Sequence, residues 1–164
     1  MKKYLFLSIA FSFLAVASCQ QKTDPEKEMK ALAEANLEVW NKGNLSLFDE
    51  ILSPEIVLHH NDSGEIIGIE AYKEWVSSTR TGLPDFFVTF DEIIIKGESL
   101  VVRWTASGTN TGPFIGLPPT GKKVNFSGTM ITHVVDGKAI ESWQYYDSAG
   151  MLTQLGYTIS PPEQ

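Results

Sequence analysis

Asp147 stands in an aromatic stretch near the C-terminal end of the sequence. Trp143, Tyr145 and Tyr146 precede it within four residues, and Met151 follows. If these neighbours exclude water from the carboxylate, its pKa rises and it can accept a proton near neutral pH. A Ser-Ala-Gly sequence comes directly after Asp147, so the same residue can instead end a strand or begin a turn. The residues alone leave a general base and a structural cap open.

His133 precedes Asp147 by fourteen residues, with an Asp-Gly turn between them. In a hairpin with a two-residue loop, the two side chains would point to opposite faces of the sheet. A three-residue loop with a bulge at Gly137 restores the parity. It would place His133 opposite Glu141, and Ser127 opposite Asp147. We predict this bulged hairpin, in which His133 and Asp147 share a face; a solvent-facing histidine is the alternative.

Two further places in the sequence carry polar residues that could serve a site. His59 and His60 are adjacent in a predicted strand, so their side chains point to opposite faces and cannot easily bind one metal ion. We therefore predict no metal site, and one histidine facing inward. Arg103 lies in a predicted central strand, where it either meets a carboxylate or an anionic ligand, or extends from the outer face.

Several functional classes find no support in the sequence. It contains no nucleophile elbow, P-loop or dinucleotide-binding fingerprint. The formal net charge is −7, and no predicted element carries a cluster of lysine and arginine. Because nucleic-acid phosphates require a basic surface, we predict no nucleic-acid partner.

Helix signals dominate the first half of the chain and strand signals the second. A helix is expected from Asp24-Pro25 to Gly43, a short one from Asn44 to Ser53-Pro54, and a third from 69 to 82. A strand over 55–60 and β-rich runs at 85–96, 99–111, 122–135 and 138–147 complete the pattern. This order predicts an α+β fold. Several strands are apolar on both faces, so helices should cover one face around a cavity.

The N-terminus has the features of a lipoprotein signal. Lys2 and Lys3 precede an apolar segment that is too short to span a membrane, and Cys19, the only cysteine, follows it. We predict a signal peptide over 1–18, a tether over 19–24, a folded domain over 25–157 and a tail over 158–164. Lipidation of Cys19 would anchor the protein to a membrane of the cell envelope. An ordinary secretory signal or a buried cysteine is the alternative.

Several short motifs together resemble one protein family. They are Trp40–Asn44, Gly108–Gly112, Gly116–Lys122 with its Pro-Pro-Thr-Gly turn, and Asp147 followed by Gln154-Leu155-Gly156. Their order and spacing resemble the SnoaL-like polyketide cyclases, also called ester cyclases. The similarity covers about residues 25–157.

The resemblance implies a cone-shaped α+β fold of the nuclear-transport-factor-2-like type, in which three helices pack on a curved antiparallel sheet around an apolar pocket. It implies no cofactor and no metal, a small apolar carbonyl compound as ligand, and a homodimer. Asp147 would act as the base in aldol-type or isomerisation chemistry, and His133 would assist. The expected pocket residues are Trp143, Arg103, His60, Tyr145 and Gln154. Binding of a hydrophobic small molecule without chemistry is the alternative.

Overall fold

The computed structural model describes residues 24–61 and 64–158. The predicted signal peptide, Cys19, the tether up to residue 23 and the tail from residue 159 lie outside the described residues. Within the described ranges, no helix combines the length and the apolar character needed to cross a membrane.

The first helix, α1, spans Pro25–Lys42, as predicted from its ends. The Asp24 side chain accepts a hydrogen bond from the backbone N–H of Glu26 at 3.1 Å, which satisfies one of the free donors of the first turn. Gly43 ends the helix in the left-handed conformation, at φ 75°. The residues that α1 buries form one stripe: Met29, Leu32, Ala33, Asn36, Val39 and Trp40.

The remaining helices agree only in part with the sequence prediction. A 3-10 turn over Leu45–Leu47 leads into the short α2, Phe48–Ile51, and α3 spans Ile69–Gly82 as predicted. A fourth helix, α4, spans Ser148–Leu155 and was not predicted. Its first turn contains Gly150, a poor helix former, and the sequence Ser-Ala-Gly therefore resembles a turn rather than the start of a helix.

In the described part of the chain, six strands form one curved, unclosed sheet in the order β2-β1-β6-β5-β4-β3. Their bounds are Leu52–His60 (β1), Gly64–Ile67 (β2), Phe87–Lys96 (β3), Ser99–Thr109 (β4), Lys123–Val135 (β5) and Lys138–Tyr146 (β6). The α+β class is confirmed. The sheet is mixed rather than wholly antiparallel, because β1 runs parallel to β6. No hairpin links these two strands, so no turn signal could reveal their relative direction, and the short β2 was also missed.

The β5–β6 hairpin has the predicted register but a different turn. Asp136 and Gly137 have φ values of 50° and 75°, as a two-residue type I′ turn requires, and Val135 pairs with Lys138. The pairing shifts by one residue after Val134, so that His133 faces Glu141. The three-residue loop with a bulge at Gly137 is therefore wrong, because the extra residue is Ile140, within β6.

Asn41, at the end of α1, fastens the helix to the sheet. Its side-chain Nδ2 donates to the carbonyl oxygen of Val88 at 2.9 Å, and its Oδ1 accepts from the N–H of Val88 at 2.8 Å. The amide thus pairs with the backbone of β3 as a neighbouring strand would. This contact fixes the inner face of α1 over the concave side of the sheet.

Candidate active site

A cavity of about 470 Å³ lies between the helices and the inner face of the sheet. Eight of its described lining residues are tryptophan, phenylalanine or tyrosine: Trp40, Trp75, Phe86, Phe90, Trp104, Phe114, Phe126 and Tyr146. Trp40 meets Trp75 edge-on with ring centres 4.7 Å apart, and Trp104 meets Phe126 in the same way at 5.8 Å. Such walls offer large apolar faces to a flat ligand.

Few polar side chains interrupt this wall. They are Asn36, Ser78 and Thr79 from the helices, and His60, Gln144 and Tyr146 from the sheet. His60 pairs with Gln144 in the register of β1 and β6, so the two side chains stand side by side on the inner face. The His60 ring lies 5.3 Å from the rings of both Trp75 and Tyr146, edge-on to each. None of the described cavity-lining residues is Asp, Glu, Lys or Arg.

The two adjacent histidines do point to opposite faces, as predicted, and His60 is the inner one. His59 lies on the outer face, where its Nε2 is 2.9 Å from Glu141 Oε1 and its Nδ1 is 3.2 Å from Glu65 Oε1. Its ring also stacks on Trp143 at 5.1 Å. The described residues contain no cluster of three or more His, Cys, Asp or Glu suited to a metal ion.

His133 lies on the outer face with His59, not in the cavity. Its ring packs against Trp143 at 4.9 Å, and its Nδ1 is 4.0 Å from Glu141 Oε2. The expectation that His133 and Trp143 face the pocket is therefore wrong in geometry. The buried neighbours of His133 along β5, Thr132 and Val134, are the residues that face inward.

Asp147 caps α4. Its side chain is exposed, and its Oδ1 accepts a hydrogen bond from the N–H of Gly150 at 2.8 Å. Its neighbours Tyr146 and Met151 both line the cavity, whereas Asp147 is not among the lining residues. The structure thus realises the capping role, and any role as a base would require the carboxylate to turn inward.

Three other predicted pocket residues also lie elsewhere. Arg103 is exposed on the outer face and pairs with Asp91 at 3.1 Å and Glu92 at 3.3 Å. Tyr145 is 54% exposed. The Gln154 side chain bonds both the backbone N–H and the carbonyl of Asn125, each at 2.9 Å, and so ties α4 to β5. Of the predicted set, only His60 lines the cavity.

Sequence reasoning missed Asn36 and Gln144. Asn36 interrupts the apolar stripe of α1 one turn before Trp40, and a polar residue in such a stripe is a usable signal. Gln144 and Tyr146 are two residues apart along β6, so both side chains lie on the inner face of the sheet.

Asp85 stabilises the part of the cavity wall that contains Phe86. Hydrogen bonds from the backbone N–H and the hydroxyl of Thr109 hold the pKa of this carboxyl below its usual value. They fasten the loop before β3 to the end of β4, next to Phe86, whose ring lines the cavity. Burial raises the pKa of Tyr72, whose ring packs edge-on against Trp75 at 5.4 Å.

Comparison with known proteins identifies relatives of this chain. A family model described as SnoaL-like polyketide cyclase matches residues 30–155. None of the curated proteins compared with the chain matches it.

Solved structures show the same fold. TsrD from Streptomyces laurentii is 28% identical, with 79% of this chain and 96% of that chain covered, at a TM-score of 0.72. IdmH from Streptomyces antibioticus, described as a candidate polyketide cyclase, is 27% identical over 78% of this chain and 98% of that one, at 0.67. A protein from Catenulispora acidiphila with a ketosteroid isomerase-like fold is 14% identical, with 79% of this chain and 97% of that chain covered. Its TM-score is 0.67, and at this identity the similarity shows the fold alone.

Proposed function

This chain belongs to the SnoaL-like polyketide cyclase family, and from that premise we propose that it catalyses cofactor-free acid–base chemistry on a small apolar carbonyl compound. The observation that carries the proposal is the aromatic cavity with His60 in its wall. Its volume of about 470 Å³ is that of a small-molecule site. Aromatic walls on several sides favour a flat, uncharged substrate.

The proposed reaction begins with a proton transfer. His60 accepts the proton from the carbon next to the carbonyl group, and the C–H electron pair becomes that of an enolate. In an aldol-type closure, the enolate carbon forms a C–C bond to a second carbonyl of the same molecule, and the resulting alkoxide takes the proton back. In an isomerisation, the proton returns to a different carbon. The Gln144 amide stands beside His60 and can donate a hydrogen bond to the enolate oxygen.

Asp147 is the second candidate for the base, because the family resemblance points to it. To act, its carboxylate would leave the N–H of Gly150 and turn past Tyr146 towards the cavity. His60 needs no such movement, since its side chain already lines the cavity. We therefore assign the base to His60 and keep Asp147 as the competing assignment.

Proton exchange on a simple ketone tests the proposal. The probe is 2-tetralone, a flat bicyclic ketone with acidic C–H groups, and the measurement is exchange of these hydrogens in D₂O by NMR. We expect the wild-type protein to accelerate exchange above buffer and the His60→Gln protein to lose most of this acceleration. Binding of the probe without any acceleration would contradict the enzymatic proposal.

A second candidate function is binding without chemistry at the cell envelope. It is favoured by the positions of Asp147 and His133, which both lie outside the cavity lining. A hydrophobic compound found by mass spectrometry in the purified protein, returned unchanged after incubation, would support it. We also propose a lipid anchor at Cys19, which Cys19→Ser would abolish, and a homodimer, which light scattering of the domain checks.

A further inference from the structure

Ile115 occupies a backbone conformation that isoleucine rarely adopts. Two described residues other than glycine have a positive φ, Ile115 at 46° and Asp136 at 50°. Each begins a two-residue turn whose second residue is a glycine, at φ 76° and 75° respectively. Aspartate and asparagine tolerate this left-handed position, whereas a β-branched side chain is strained there. Backbone strain of this kind is concentrated at active sites and ligand sites.

The turn that contains Ile115 is fastened to the end of α3. Phe114 and Leu117 close it with two backbone hydrogen bonds, in which the N–H of each donates to the carbonyl of the other at 3.0 and 2.9 Å. Phe114 is buried against Gly82, the last residue of α3, where an added Cβ would stand 2.7 Å from the Cβ of Phe114. The Asn110 side chain also donates to the carbonyl of Gly82, at 3.2 Å. These contacts fix the place of the turn relative to α3.

Ile115 stands where the cavity opens to solvent. Among the described residues of the cavity lining, only Ser78 and Ile115 are exposed, so the opening lies between α3 and the turn. The Ile115 residue is 48% exposed. A side chain needed only for packing would be buried. An apolar side chain at an opening instead loses its remaining contact with water when a ligand arrives, and this favours binding.

His60 and this opening lie at different positions along α3. The His60 ring packs against Trp75 at 5.3 Å, whereas Phe114, next to Ile115, lies against Gly82. Trp75 and Gly82 are both on α3, two helical turns apart, and seven residues of helix rise roughly 10 Å. A two-ring ketone bound at His60 therefore ends short of Ile115, whereas a third fused ring reaches it.

We propose that Ile115 is a specificity-determining residue, which contacts the outer end of the ligand and favours flat ketones long enough to reach from His60 to the opening. This inference rests on the proposed function, which sets the carbonyl group of the ligand at His60. The turn keeps a strained isoleucine because the residues that it would prefer, asparagine or aspartate, would present a polar group to the ligand.

Two ketones that differ by one fused ring test this contact. The probes are 2-acetylnaphthalene and 2-acetylanthracene, and their dissociation constants are measured from quenching of the tryptophans that line the cavity. In Ile115→Asn, binding of the anthracene compound should weaken roughly three- to tenfold, the value of burying the exposed half of an isoleucine. Binding of the naphthalene compound should stay within about twofold of wild type. An equal loss for both probes, or no loss for either, overturns the proposal.

Two variants serve as controls for the affinity measurement. Ile115→Val keeps an apolar branched side chain and should retain most of the affinity for the longer ketone. Asp136→Ile makes the reverse replacement in the other turn, which does not line the cavity, and should leave both affinities unchanged. A loss of affinity for the longer ketone in Asp136→Ile would make the effect a general one of turn strain, and would overturn the proposal. If Ile115→Asn does not fold, Ile115→Gly is measured in the same way.

Thermal stability separates a ligand contact from a packing role. Ile115→Asn relieves the strain of the turn, so its melting temperature should rise by roughly 2–5 °C, while that of Asp136→Ile should fall by a similar amount. A residue needed for packing would lose stability and affinity together. A lower melting temperature in Ile115→Asn therefore overturns the proposal.

The two proposals fail separately. A preference for the longer ketone that depends on Ile115, without proton exchange on 2-tetralone, contradicts the enzymatic function alone. Exchange without such a preference contradicts this inference alone. If the wild-type protein binds neither acetyl probe and does not accelerate exchange, both are wrong.

Discussion

His60 and Gln144 are register partners across the parallel pair of strands β1 and β6, and both side chains line the cavity. The two strands come from opposite ends of the domain, so the pair forms only when the sheet is complete. The arrangement sets a titratable ring and a hydrogen-bonding amide in one row on an otherwise apolar wall.

The adjacent histidines provide a matched pair of variants. His60→Gln should reduce catalysed proton exchange by about 10²- to 10⁴-fold, the usual contribution of a general base. His59→Gln should change it only slightly, because His59 faces Glu65 and Glu141 on the outer side of the sheet. Exchange rates of the two variants on 2-tetralone give the comparison. Equal rates would remove His60 from the mechanism.

Asp147 can be tested separately as a cap and as a base. Asn caps helices about as well as Asp, so Asp147→Asn should retain stability, while Asp147→Ala should lose about 1 kcal/mol. Urea unfolding measures this difference. If Asp147 only caps α4, exchange activity in Asp147→Asn should match wild type. A large loss of activity in a stable Asp147→Asn protein would favour Asp147 as the base over His60.

Gly128, on β5, lies directly against the ring of Trp104 and the backbone of β6. A methyl group there would collide with the Trp104 ring, the carbonyl oxygen of Tyr145 and the Cβ of Tyr146. Gly128→Ala should therefore destabilise the protein by about 1–3 kcal/mol and displace two rings of the cavity. Chemical denaturation measures the loss of stability, and the affinity for 2-tetralone measures the change in the cavity. Ser127→Ala, one residue earlier, is the control, and an equal effect there would contradict the packing argument.

Asp85 should make stability depend on pH in the acid range. Because its pKa is lowered in the folded state, its contribution is fully present above the ordinary value of 3.8 and is lost as pH falls through the folded-state value. Asp85→Asn should thus be less stable than wild type at pH 7, and the gap should narrow below about pH 4. Urea midpoints at pH 7, 4 and 2 measure the gap. A gap of constant size would rule out this linkage.

The sequence predicted which residues lie next to one another better than it predicted on which face of the sheet they lie. The caps of α1 follow from local residue chemistry and are confirmed. His133 pairs with Glu141 as predicted, but through a bulge at Ile140 and not at Gly137. The alternation of side chains along a strand also predicts that His59 and His60 lie on opposite faces of the sheet. It does not show which face the helices cover, and His133 lies on the face that they leave uncovered.

The site itself depends on contacts between distant segments. Asn36 and Gln144 meet one cavity only because α1 packs over the sheet and β6 lies beside β1. Asp147 could be taken for a base or a cap, since the sequence does not show that α4 begins directly after it. Which residues line the cavity depends on burial and on the order of the strands, and both depend on segments that are far apart in the sequence.

The bond between Asn41 and Val88 also has a consequence for the protein in solution. β3 is the last strand of the sheet, and such a strand exposes backbone groups on which another chain can add by β-pairing. Asn41 occupies both hydrogen-bonding groups of Val88 from within the same molecule. One side chain thus protects this part of the sheet margin against intermolecular aggregation while it holds the helix that carries Asn36.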